Sequence, residues 1–129
     1  DTNCLVASIS PKSKYNWLYH YFLNEQFEWV LSNEILTEYE EIISIRYNIK
    51  VAENVIRILT VAPNSIFVNP YFKWGLIEND LDDNKFADVY LSSNSDVLVT
   101  HDRDFNVFKK IDFQKFNISN LDEFKNLLS

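Results

Sequence analysis

Apolar residues along this chain recur with two different periods, and the changes of period mark its elements. Leu5 to Ile9 is a short apolar run closed by Ser10-Pro11, which reads as a first strand ending in a turn, with Lys12, Ser13 and Lys14 as a basic loop or helix start. Trp17, Leu18, Tyr21 and Phe22 then recur at helical spacing. Glu28 to Leu31 reads as a short strand, and Ser32 is placed to cap the helix that follows. In that helix Ile35, Leu36, Tyr39, Ile42 and Ile43 define one face, at about 100° per residue. Val51 to Val61 predicts another helix, and Ser65 to Val68, stopped by Asn69-Pro70, a short strand or extended loop.

Further along, the acidic segment Glu78 to Asp83 opens a helix that continues to about Ser92, with Phe86, Ala87, Val89, Tyr90 and Leu91 apolar. Asp96 to Thr100 is the clearest strand, a continuous apolar run of the kind a buried parallel strand shows. A short strand near Phe116 to Ile118 and a closing helix over Leu121 to Leu128, capped by Asn120 or Ser119, complete the pattern. Helices alternate with short strands throughout, which predicts an α/β sandwich. Tyr71, Phe72 and Trp74 form an aromatic cluster suited to core packing, with base stacking as the alternative use.

Composition narrows the functional classes. With 129 residues, 47% hydrophobic and 24% charged, the chain fits one globular domain. Charges or amides interrupt every apolar segment well short of the ~18 residues that span a bilayer, so no membrane partner is expected. Cys4 is the single cysteine and cannot form an internal disulfide. Together with the absence of a secretory leader, this makes a cytoplasmic compartment the expectation, with Cys4 as a small buried hydrophobe. Gly75 is the only glycine, which excludes the Gly-rich phosphate loops of nucleotide-binding folds. A net charge of -7 argues against a protein that coats nucleic acid with Lys and Arg. It is compatible with a carboxylate pocket whose local sign is reversed by bound cations.

Four acidic stretches lie where an apolar run ends or a helix begins: Asp1-Thr2-Asn3, Ser32 to Glu38, Asp80 to Asp83, and Thr100 to Asp104. In an open parallel sheet the strand ends face one crevice, so acids remote in sequence can meet there and bind divalent metal. On a helical wheel Glu38 falls inside the apolar arc, between Ile42 and Ile45, while Glu34, Glu40 and Glu41 fall outside it. On the later helix Asp83 turns inward, between Tyr90 and Ala87, and Asp88 points the other way. Thr100 either bonds a carboxylate or substrate, or simply closes its strand. Asp104 fits a helix cap. His101 adjoins Asp102, but side chains of neighbouring extended residues point apart, which disfavours a general acid there. Basic residues placed near such a crevice are Lys12, Lys14, Lys73, Arg103, Lys109 and Lys110. No spaced Cys/His set or Ser/His/Asp order supports a zinc or acyl-transfer site.

The stretches Asp1-Thr2-Asn3, Leu31 to Glu40, Asp82-Asp83-Asn84-Lys85-Phe86 and Leu98 to Phe105, in this order and spacing, resemble the PIN domain nucleases over nearly the whole chain. The resemblance is to the branch of toxin components of toxin–antitoxin pairs in particular. It implies a three-layer α/β/α sandwich with a central parallel sheet. It implies a metal-binding quartet of Asp1, Glu38, Asp83 and Asp102, with Asn3, Thr100 and Asp104 at accessory positions. Of the four, Asp1 and Asp102 are the expected direct ligands, with Glu38 and Asp83 ligating directly or through water. Mg²⁺ or Mn²⁺ is the expected cofactor and RNA the expected substrate, contacted by residues such as Lys12, Lys14 and Arg103. An antitoxin protein and a homodimer are the partners the resemblance suggests.

The sequence departs from the family pattern in three places. Family members carry a central strand immediately before the first aspartate, so an upstream extension, or a truncated chain, is expected here. Leu81 stands where relatives often have proline, and Tyr90 where they have alanine. Two other readings remain: a non-catalytic interaction module on the same fold, and a Toprim-like site built on Asp102 and Asp104, which would want an upstream glutamate at a strand end and nearby glycine.

Overall fold

The computed structural model describes residues 1–70, 84–102 and 117–129. Its first element corrects the reading of Leu5 to Ile9 as a strand: α1 is a helix, Thr2–Ile9. Local preference there favours extended backbone, but capping and packing win. The Asp1 side chain accepts from the Cys4 amide at 3.1 Å, and Ser8 Oγ donates back to the Leu5 carbonyl at 2.7 Å. The helix then buries Cys4, Leu5 and Val6 and packs on α2 (Asn16–Leu23) and α3 (Asn33–Arg46). Lys12 and Lys14 therefore lie in the turn between two helices.

Elsewhere the periodicities hold. β1 is Trp29–Leu31, and Ser32 caps α3 by accepting from the Ile35 amide at 3.1 Å. The face of α3 that meets the core is Ile35, Tyr39 and Ile43, each nearly inaccessible. Ile45 is 71% exposed, so the apolar arc stops short of the edge that the wheel gave it. Asn48 caps α4 (Ile49–Val61), which buries Ala52, Val55 and Leu59. β2 (Ser65–Phe67) follows, with Asn64 donating to the Phe22 and Phe27 carbonyls, 2.9 Å each, and pinning the α2–β1 turn to it. α5 is Asn84–Ser93, β3 Leu98–Val99, β4 Ile118–Ser119 and α6 Leu121–Leu127. Asn120 and Glu123 cap α6 reciprocally, each side chain bonding the other's amide. Tyr71, Phe72, Trp74, Lys73, Leu81, Lys109 and Lys110 lie outside the described residues. No described helix is long and apolar enough to cross a membrane.

Among the described residues the strands pair as β1 with β2 and β3 with β4, both parallel, in two separate two-stranded sheets. The described strands alone do not form one continuous central sheet. Between them runs an open groove of about 1100 Å³, lined by Glu28, Trp29 and Val30 on one side and Val97, Leu98 and Val99 on the other. Ladder bonds alternate along a strand. Trp29 and Leu31 bond toward β2, and Leu98 and Thr100 toward β4, so the main chain of Val30 and Val99 faces the groove. Phe27, Trp29 and Phe124 line it: Phe27 and Trp29 pack on each other and on the buried Phe22, edge to face or tilted at 5.4–5.8 Å, and Phe124 of α6 meets Phe27 edge-on at 5.1 Å. These contacts tie the main core to the smaller cluster of Cys4, Leu18, Leu121 and Phe124.

Candidate metal centre

Two hydrogen-bonded knots, joined through the adjacent residues Asp1 and Thr2, form the site. The first lies at the carboxyl end of β3. Asp1 caps α1 with one carboxylate oxygen and accepts from the Thr100 hydroxyl, at 2.5 Å, with the other. The same Thr100 oxygen accepts from the Asp102 amide at 2.9 Å, and the Asp1 nitrogen donates to the Val99 carbonyl at 2.7 Å. Thr100 is buried, so its side chain is committed to these bonds rather than to solvent. Of the two roles open to Thr100, the carboxylate partner is the one the structure shows. The start of α1 is thereby fixed to the end of β3, although these residues are 99 apart in sequence.

The second knot is built on Glu38, in the second turn of α3. One of its oxygens accepts from the Thr2 hydroxyl, and the other is paired with the Lys85 ammonium at 2.6 Å. Lys85 and Glu38 are 11% and 18% exposed, which makes this a largely desolvated ion pair. Such a pair holds its geometry because removing either partner leaves a charge uncompensated. The inward placement of Glu38 inferred from the wheel is thus accompanied by a counter-charge that the sequence did not announce. Asp1, Thr100 and the main chain of Asp102 meet at the end of β3 and Glu38 is bonded to Thr2, while Asp83, Arg103 and Asp104 lie outside the described residues.

Other sequence-predicted residues fall as follows. Asn3 is exposed on α1, and Lys12 is exposed. Lys14 is exposed too, with its ammonium 5.0 Å from the centre of the Tyr15 ring. That ring meets His101 at 5.6 Å. The His101 Nε2 accepts, at a long 3.5 Å, from the Leu121 amide at the start of α6. Lys14 is thus linked through the Tyr15 ring to His101, the residue before Asp102. His20 is exposed. Cys4 is buried, and burial pushes its thiol up, a shift the Asp1 nitrogen only partly opposes. That agrees with an inert packing residue.

Three residues were missed or misplaced. Thr2 carried no signal beyond its place beside Asp1. Lys85 did carry one: a cation in the first turn of α5 sits at the positive end of the helix dipole, where acids are favoured, and so calls for a nearby anion. Asp88, expected to point outward, is only 5% exposed and is partnered. The helix wheel failed there because α5 packs on β1, α3 and β3 together, burying Phe86 through Tyr90 continuously. Tyr90 fits this interior by giving its hydroxyl a partner, the Asn117 amide at 3.0 Å.

The donors gathered here are carboxylate and hydroxyl oxygens, the kind that suit Mg²⁺ or Mn²⁺. Among the described residues, no group of three or more acids, histidines or cysteines is close enough to hold a metal ion.

Among known proteins, a family model described as PIN domain matches residues 1–104. No curated protein and no solved structure matches the chain.

Replacing Thr100 by Val removes the hydroxyl shared by Asp1 and Asp102, and should cost ~1–3 kcal/mol in urea denaturation, with Thr100→Ser retaining most of the stability. A loss no larger than that of an exposed substitution would mean the bridge does not form.

Proposed function

The chain belongs to the PIN domain family, whose members are generally metal-dependent nucleases, and on that premise we propose that it hydrolyses phosphodiester bonds in RNA as the toxin of a toxin–antitoxin pair. The observation that carries this reading is the bridge through the Thr100 hydroxyl, which bonds the Asp1 carboxylate and the main-chain amide of Asp102 and so brings residues from opposite ends of the matched region to one strand end. In this reading Asp1 and Asp102 bind the cation, with Asp83 and Glu38 completing the acid set. A bound Mg²⁺ or Mn²⁺ supplies a water of lowered pKa and neutralises charge on the leaving oxygen. The residues' own part is to hold that water and the phosphodiester in line. Thr100 keeps the Asp1 carboxylate from rotating away, and Lys14 with Tyr15 offers a charge and a ring to a passing strand.

The exposed Ile45, Ile49 and Val61 on α3 and α4 give a protein partner, antitoxin or second copy, apolar surface to cover. A cytoplasmic setting accords with a buried free thiol. One observation favours the alternative, a non-catalytic module: both oxygens of Glu38 already have partners without any metal.

On the same reading the two strand pairs are halves of one parallel sheet in a three-layer α/β/α sandwich, with a further strand seated in the groove between them. The main chain of Val30 and Val99 supports this by facing the groove, and the Asp1 nitrogen supports it by lying against Val99. A short β-branched segment fused ahead of Asp1 should raise the melting temperature by several degrees, and a proline-interrupted version should not. Equal melting temperatures would remove the strand from the groove.

For the activity, purified protein is incubated with RNA and with DNA in Mn²⁺, Mg²⁺ or EDTA. Cleavage of RNA that stops in EDTA and falls at least ~10²-fold in a folded Asp102→Ala variant is the expected result. A folded, metal-supplied protein that cuts neither substrate would establish the binding-module alternative instead.

A further inference from the structure

We infer that a strip of rings and lysines along α2 and the start of α6 is a second contact surface for RNA, one that holds unpaired nucleotides away from the end of β3. The inference rests on the nuclease reading above for its ligand and adds where the bound strand lies.

The strip begins at His101, where the Tyr15 ring meets the imidazole at 5.6 Å and carries the Lys14 ammonium 5.0 Å from its centre. The His101 Nε2 also meets the first amide of α6, so that helix starts beside these rings and leads the strip onward. One turn along it, about 6 Å at 1.5 Å per residue, Phe124 meets the Trp17 ring at 6.4 Å. The Lys125 ammonium stands over the same indole, 5.5 Å from the ring centre, and Tyr21 meets Trp17 edge-on at 5.3 Å. Tyr15 and Trp17 both rest on the small cluster of Cys4, Leu18, Leu121 and Phe124, which orders their rings while leaving each partly exposed. Rings already held in place lose little freedom when a ligand stacks on them.

In a chain of net charge -7 carboxylates are plentiful, yet among the described residues none is paired with the exposed Lys12, Lys14 or Lys125. Of the two acids of α6, Glu123 gives its carboxylate to the Asn120 amide, and Asp122 is not paired with Lys125. A cation over an exposed ring is held weakly, and a base stacked on that ring is held more strongly. An incoming strand therefore replaces the ammonium on the ring with a base, and the displaced ammonium goes to a phosphate. A duplex keeps its base faces stacked inside and cannot make this exchange. An acidic protein segment would draw the ammonium away but leave the ring without a planar partner.

The test is fluorescence anisotropy of a labelled RNA single strand of roughly ten nucleotides, and of its duplex, titrated in EDTA with wild-type protein and with Trp17→Leu, Lys14→Gln, Lys125→Gln and Lys50→Gln. Trp17→Leu should weaken binding of the single strand by about tenfold. Lys14→Gln and Lys125→Gln should each flatten the dependence of log affinity on log salt by about 0.7, and Lys50→Gln, exposed on α4, should leave it unchanged. Should Trp17→Leu fail to fold, since Trp17 packs on Phe124, the lysine variants decide. Lys125→Gln behaving as Lys50→Gln does, or duplex bound as tightly as single strand, overturns the inference. Polyglutamate bound through Lys125 by a protein that binds no RNA assigns the strip to an acidic protein partner and overturns it as well. RNA held with the expected dependence but left uncut in Mn²⁺ supports the strip and contradicts the nuclease reading. RNA cut in Mn²⁺ by a protein whose affinity ignores Trp17 and Lys125 overturns the strip alone.

Discussion

A carboxylate drawn partly out of water must find donors or a cation, and the bond from the Thr100 hydroxyl to Asp1 is how this chain meets that requirement at its most consequential point. Asp1 is also the cap of α1, so one side chain decides two things at once. It makes Thr2–Ile9 helical, and it ties that helix to the end of β3. Because Thr100 in turn receives the Asp102 amide, the loop leaving β3 is oriented by the same oxygen. Thr2, the next residue, reaches Glu38 on α3. Two consecutive residues at the head of α1 are thus each bonded to a different part of the fold, Asp1 to the end of β3 and Thr2 to α3.

Charge is balanced locally even though the chain as a whole is acidic. A net charge of -7 would make a crowd of bare carboxylates costly, and the structure offers two different remedies. On the α3 side Lys85 supplies a full positive charge to Glu38. On the β3 side Asp1 has only neutral donors, which orient a carboxylate without cancelling its charge.

Much of this was legible in the sequence, for reasons that can be named. α3 and α4 each present an apolar face at helical period, and for α3 the cap at Ser32 agreed with the pattern. β1 and β2 were bounded by turn residues, and Glu38 stood out as an acid on the wrong side of its wheel. What escaped was set by tertiary contacts. Leu5 to Ile9 looks extended until Asp1 caps it and α2 and α3 cover it. Asp88 is buried because α5 is enclosed by three elements, which no wheel conveys. Lys85 lay in plain view as a cation at a helix start, the kind of local conflict that marks a constrained position. The family was legible too, from the order and spacing of four weak motifs, and residues 1–104 match its model. Asp83, Arg103 and Asp104 fall outside the described residues, so their part in the site stays with the proposal.

The most direct measurement is anomalous diffraction from crystals of the protein soaked in Mn²⁺. Convergence of the acids predicts a peak at ligand distance, roughly 2.0–2.6 Å, from the Asp1 and Asp102 carboxylates. A peak seated elsewhere on the molecule, or none at saturating Mn²⁺, would contradict it.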